Sequence, residues 1–205
     1  MRLSNLRTTI NPYKIIFFLL LSIGYPLTFN PDQIIDQLDG VHGITFGMNQ
    51  EEVMAVLSDF KPTLSTMDSI VIIEYRKILG KKERVDKLRI FLAPRKGVFW
   101  IEEQYYLKWD LQKEDIYNLE NHRRKLQRIT GLLRSKFGKE DLTEPTDLKA
   151  KYREYDFASA TWQFPENHWV HLIFEPQDWS IYPELNKILV IYRDSIRDPR
   201  KTLPY

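Results

Sequence analysis

The chain has 205 residues, no cysteine, and 30 basic against 28 acidic side chains, for a formal net charge of +2. Without cysteine there is no disulfide, no thiol chemistry and no lipid-bearing cysteine. The positive excess lies in residues 1–24, which hold Arg2, Arg7 and Lys14 and no acid; the remainder carries 27 basic and 28 acidic residues, net −1, so overall charge makes no case for nucleic acid.

Those 24 residues read as an export leader. A basic flank precedes the apolar run Ile15 to Ile23 (IIFFLLLSI), which ends near Gly24 and Pro26, the layout of a signal peptide. Counted to Phe29 the run is about 15 residues, short of the roughly 20 that a spanning helix needs. The expected product is extracytoplasmic, periplasmic or secreted. An uncleaved membrane anchor is the alternative, with membrane contact through this segment.

Residues 25–197 are expected to form a single domain. Asn30-Pro31-Asp32-Gln33 has the cap, first-turn proline and box residue of a helix that runs through Leu38 and stops at Gly40. Gly43 to Leu57 (GITFGMNQEEVMAVL) reads as an extended segment, a glycine turn and a capped helix. In that helix Asn49 and Glu52 can close a capping box, and Val53, Met54, Val56, Leu57 and Phe60 form an apolar stripe.

Lys61 to Ser69 is a polar break, and three strands follow it: Ile70 to Lys77, Val85 to Leu92, and Val98 to Trp109. Alternation on the last puts Phe99, Ile101, Tyr105 and Leu107 on one side, and Trp100, Glu102, Gln104, Tyr106 and Lys108 on the other.

Asp115 to Lys139 is the longest helical pattern, with Ile116, Leu119, Leu126, Ile129, Leu133 and Phe137 as its stripe and Gly138 as terminator. A polar spacer around Pro145 precedes strands at Tyr155 to Phe164, His168 to Glu175 and Lys187 to Arg193; residues 198–205 read as a polar tail. The two halves, 30–110 and 111–197, repeat one order of helix, polar break and three strands. That order predicts an α+β fold in which antiparallel strands carry helices on one face.

The G-x-x-F-G-M-x-x-E-E-V-x-x-x-L pattern of 43–57 resembles the opening of many small exported bacterial proteins. Leu133 to Lys139 (LRSKFGK), Thr161-Trp162-Gln163 and Leu189 to Asp194 resemble their second half. The helix–strand order is similar to that of the small outer-membrane-assembly lipoproteins and of β-lactamase inhibitor protein. The resemblance implies a binding module with no catalytic residues, whose partner is a protein or an envelope polymer.

The residues themselves offer little for catalysis. His168 and His171 are three apart on a strand and face opposite ways, so they cannot chelate one ion; His42 and His122 stand alone in the sequence. Glu102 and Glu103 also face opposite sides, and the helix dipole accounts for Glu51 and Glu52 in a first turn. No phosphate-binding glycine loop, nucleophile elbow or H-E-x-x-H occurs. No metal or cofactor is therefore expected.

Two surfaces remain as candidates for contact. One is the aromatic and polar strand side bearing Trp100 and Tyr106, residue types that anchor interfaces. The other is the basic run from Arg123 to Lys139, which includes Arg124 and Arg128 and has no acid. Acid-first, base-last order suits the helix dipole as well as an anionic partner. A non-enzymatic binding module is the leading expectation, with an enzyme or enzyme-associated domain acting on an envelope polymer as the alternative; nucleic acid is disfavoured.

Overall fold

The capping box at Asn49 forms and starts the first helix of the described residues. In the computed structural model, which describes residues 37–79, 84–144, 159–175 and 186–200, the Asn49 side chain accepts from the Glu52 amide at 3.0 Å. The Glu52 carboxylate accepts from the Asn49 amide at 2.7 Å. Helix α1 (Gln50–Val56) follows and buries Val53 and Leu57; Val56, expected in the stripe, faces outward. Ahead of it, β1 (Gly40–Val41) and β2 (Ile44–Thr45) make a small hairpin. The expected leader and most of the expected helix at 30–39 lie outside the described residues; 37–39 are not helical.

The loop before α1 is stitched to the main sheet. The Gly47 amide donates to the Val98 carbonyl at 2.8 Å, and the Val98 amide donates to the Met48 carbonyl at 2.9 Å. Gly97, with φ 72°, sits so close that a Cβ there would lie 2.1 Å from the Gly47 carbonyl oxygen. Only glycine permits that approach.

One antiparallel sheet of eight strands carries the rest. Its members are β3 (Thr63–Met67), β4 (Ile70–Leu79), β5 (Arg84–Ala93), β6 (Gly97–Tyr106), β7 (Leu142–Glu144), β8 (Ser159–Phe164), β9 (His168–Glu175) and β10 (Lys187–Asp194). The spatial order is β3-β4-β5-β6-β10-β9-β8-β7. Each half is thus a helix followed by a four-strand meander, and the two meanders meet where β6 pairs with β10.

The fourth strands are β3, inside the expected polar break, and β7, at the expected spacer. The sequence hid β3 because all five of its residues are exposed on the sheet edge, leaving no alternation to read. Asp68 and Ser69, at φ 48° and 70°, make the tight turn that pairs β3 with β4.

Helix α2 (Asp115–Phe137) ends at Gly138 as expected, with the Gly138 amide donating to the Arg134 carbonyl at 2.9 Å. Its buried stripe is Asn118, His122, Leu126, Ile129, Thr130, Leu133 and Phe137. Ile116 is 66% exposed, so the first two turns bury polar groups where the apolar pattern predicted isoleucine.

Both helices pack on one sheet face, over Ile73, Leu88, Ile90, Ile101, Leu172 and Val190 among others. The opposite face has its own cluster, centred on Ile72, Phe91, Phe99, Trp100 and Ile191. Phe99 belongs to this second face, not to the side of Ile101. A bulge lets Trp100 pair with Phe91 and Val98 with Leu92, so Phe99 is extra and turns outward with Trp100.

The start of the expected polar tail is packed down. Asp198 is 1% exposed and its carboxylate takes Arg193 at 2.9 Å and Arg200 at 3.1 Å. The Arg200 guanidinium lies 4.4 Å from the Trp100 ring centroid and 5.0 Å from that of Phe99.

Candidate functional site

Three of the four predicted contact residues come together. Tyr106 ends β6, and Arg124 and Arg128 sit on the flank of α2 beside it. They line a basin of about 440 Å³ together with Asp86, Lys108 and Lys125. A neighbouring basin of about 410 Å³ shares Asp86, Tyr106 and Lys108 and adds Arg76, Lys77 and Arg84 from the β4–β5 ribbon. The two make one trench with cations from β4, β5, the end of β6 and α2. Asp86 is its only acidic lining residue among the described residues.

The trench floor is fixed by hydrogen bonds. Asp86 Oδ2 accepts from the Tyr106 amide at 2.8 Å and lies 3.5 Å from Lys125 Nζ, which itself donates to the Tyr106 carbonyl at 3.0 Å. Lys125 and Asp86 are thereby occupied with each other and with the strand end.

Farther along α2, Asn118 accepts from the Asp110 amide at 2.9 Å and donates to the Asp110 carbonyl at 3.0 Å. His122 Nε2 lies 3.2 Å from the Lys108 carbonyl, to which it must donate. Burial holds the His122 pKa below the ordinary histidine value, against that hydrogen bond and helped by nearby Lys125. The polar stripe that replaced the expected isoleucine therefore ties down the 107–110 segment.

The cations differ in their commitments. Arg124 and Arg123 both hold Glu120, at 2.9 and 2.7 Å, and Arg124 first of all keeps that carboxyl below its usual range. Arg76 lies 3.4 Å from Glu74. Lys77, Arg84 and Lys108 pair with no carboxylate among the described residues.

The rest of the predicted basic run disperses. Arg134 makes two hydrogen bonds to Glu140, at 2.8 and 2.5 Å, and Lys136 folds inward over the rings of Phe137 and Tyr192, at 4.7 and 5.8 Å.

Trp100 does not join the trench. It lies at the other end of β6, 6% exposed, beneath Arg200 and 5.6 Å from the Arg193 guanidinium. The bare aromatic face expected of Trp100 and Tyr106 together is thus corrected. Only Tyr106 is part-exposed, and the two are separated by the length of the strand. Trp100 instead borders a cavity of about 280 Å³ with Trp169, His171, Ile191, Arg193 and Ser195. His168 and His171 do face opposite ways: His168 packs on Phe46, with ring centroids 5.1 Å apart, while His171 lines this cavity.

Sequence reasoning missed a second charged cluster. Glu103, 3% exposed, points under the helices. Its Oε1 lies 2.5 Å from His42 Nε2, and its Oε2 accepts from the hydroxyls of Tyr105 at 2.9 Å and Tyr192 at 3.3 Å. Burial, reinforced by the Glu103 charge, holds the Tyr192 pKa well above the phenol's ordinary 10.0. Burial also lowers the Lys136 pKa, against the attraction of Glu103. His42 is therefore not alone. The available signal was the phase of Glu103 with Ile101 and Tyr105, which marks an inward-facing carboxylate. Its partner, 61 residues away in the chain, left no local trace.

Among the described residues no three histidines or carboxylates gather as a metal site, and no helix is long and apolar enough to cross a membrane. No family model, curated protein or solved structure matches the chain.

Proposed function

We propose that this chain is an exported, non-enzymatic binding module that engages an anionic macromolecule of the cell envelope through the trench around Tyr106. One observation carries the reading: cations far apart in sequence, from Arg76 to Arg128, line one concavity with a single carboxylate among the described residues. The helix dipole accounts for basic residues late in α2, but not for Arg76, Lys77, Arg84 and Lys108 on the sheet side. Local charge of one sign in a cleft on a chain of near-zero net charge is the pattern that concentrates an oppositely charged ligand.

The leader at residues 1–24 and the resemblance to small exported bacterial binding proteins supply the compartment. The test has two parts. Fractionation and intact-mass measurement should find an extracytoplasmic product lacking about the first 24 residues. The full chain should bind an immobilised polyanion and release it with salt, and the double variant Arg84→Ala/Arg128→Ala should elute at lower salt. Cytosolic full-length protein would remove the compartment, and unchanged elution would remove the trench.

The enzyme reading keeps one specific observation, the cavity that brings His171, Arg193 and Ser195 against Trp100 and Trp169. Release of soluble fragments from an envelope polymer, abolished by both His171→Ala and Ser195→Ala, would favour it.

A further inference from the structure

We propose that the trench takes a linear phosphate polyanion other than nucleic acid, with one phosphate-bearing unit in each basin. The assignment rests on the binding-module reading above and names the ligand class of that site. Basins of about 440 and 410 Å³ each suit a small charged unit, and their shared wall of Asp86, Tyr106 and Lys108 makes them neighbours on one path. A chain of repeating charges meets both at once, whereas a single free anion meets one.

The donors favour phosphate over an acidic protein surface. Arg84 in one basin and Arg128 in the other supply planar guanidinium forks, which match phosphate oxygens two at a time; Lys77 and Lys108 add point charges. Protein partners anchor themselves by seating apolar and aromatic side chains in pockets. Here the apolar side chains among the described lining residues are Leu107, itself buried, and Tyr106; the other nonpolar surface belongs to side chains that end in a polar or charged group, so an apolar anchor seated here would meet charge. Asp86 does not oppose an anion strongly, because Lys125 stands 3.5 Å from it.

Lys77 adds an independent sign. Its φ is 58° near the end of β4, where the ladder skips from Arg76 to Ile78. A non-glycine residue held in the left-handed region inside a strand is strained, and such strain gathers at ligand sites. This one lies on the trench lining.

The decisive experiment titrates the full chain with short-chain inorganic polyphosphate, orthophosphate, poly-L-glutamate and oligothymidylate at several salt concentrations. Polyphosphate should bind about tenfold or more tighter than orthophosphate or poly-L-glutamate, the scale of one charge-assisted contact. Arg84→Ala and Arg128→Ala should each weaken it and lower the salt slope by about one, because each removes one phosphate contact.

Poly-L-glutamate binding as tightly as polyphosphate would overturn the phosphate assignment and leave the anionic binding module standing. Oligothymidylate binding more tightly than polyphosphate would overturn it in favour of nucleic acid. Polyphosphate binding indifferent to both arginine variants would put the site elsewhere, and failure of every polyanion to bind would remove both readings together.

Discussion

The trench and the Glu103 cluster are two answers to one problem. Each gathers ionisable side chains from distant segments against the central strand β6, and Glu103 and Tyr106 are three residues apart on it. Around Glu103 the carboxylate is enclosed and given partners: the half-buried His42 and two tyrosine hydroxyls hold it, and Lys136, also half-buried, stands by. Around Tyr106 the cations stand nearer the surface, and Arg124, Arg76 and Lys125 hold carboxylates there. A buried charge is tolerated only when it is paired and hydrogen-bonded, so the first arrangement is bound up with folding. Exposed like charges contribute little to stability and a good deal to recognition. The lesson is that charge density alone does not identify a functional site; how deeply the charge is buried separates the two.

The widest separation between the two should appear on removing the central group. Glu103→Ala leaves His42 and two tyrosine hydroxyls without their acceptor and should cost about 3–5 kcal/mol, the range for breaking a buried pair. Urea denaturation checks it. A loss below about 1 kcal/mol would mean the cluster contributes to something other than folding and would restore it as a candidate site.

Asn118→Ala tests whether the trench borrows rigidity from the fold. Asn118 is buried and satisfies both the amide and the carbonyl of Asp110. Its loss should cost about 1–3 kcal/mol, the penalty for buried polar groups left unpaired. Polyphosphate affinity should fall as well, although Asn118 is not among the trench-lining residues. Unchanged affinity in a folded variant would show that the trench wall does not depend on the 107–110 segment.

The alkaline stability profile should sharpen the contrast further. Lys136 is held below its ordinary 10.5 by burial. Between that lowered value and 10.5 the unfolded chain carries a proton the folded chain has shed, so stability rises with pH. Tyr192 is held above 10.0. Beyond 10.0 the unfolded phenol ionises while the folded one does not, so stability falls with pH. Denaturation between about pH 8 and pH 11 should show a rise and then a decline. Lys136→Met should flatten the rise. Tyr192→Phe should lessen the decline while losing about 1 kcal/mol for its hydrogen bond. A decline unaltered in Tyr192→Phe would assign it to other groups.

How much of this was legible follows from which signals are local. The Asn49 cap, the Gly138 stop and the strand runs of β4, β5 and β10 lie within a few residues of their cause and could be read directly. Strand β3 could not, since an exposed edge strand owes its existence to pairing with β4. The Phe99 bulge could not either, because it shows only in how β6 pairs with β5. At the site, Arg124 and Arg128 were visible as a basic run and Tyr106 as an aromatic on a polar strand side. Their meeting, and the contribution of Arg76, Lys77 and Arg84, depends on β4 and β5 lying beside β6, a tertiary fact. Trp100 misled because alternation reports side, not cover: Arg200, read as tail, lies on its ring.

The smallest effect is also the most pointed. Lys77 holds φ 58°, a conformation that burdens any residue with a Cβ and leaves glycine unburdened. Lys77→Gly should relieve that strain and stabilise the fold by up to about 1 kcal/mol, after the extra freedom glycine gives the unfolded chain. Lys77→Ala removes the same charge but keeps the strain, so its stability should stay within about 0.5 kcal/mol of the wild type. The difference between the two variants isolates the backbone, while their common loss of polyphosphate affinity isolates the ammonium. Stabilisation by glycine together with weaker binding in both variants would mean that β4 keeps a less stable backbone to hold a cation over the trench. No gain from glycine would mean the conformation is not strained where it stands. The trench would then rest on its charges alone, as the Glu103 cluster rests on its hydrogen bonds.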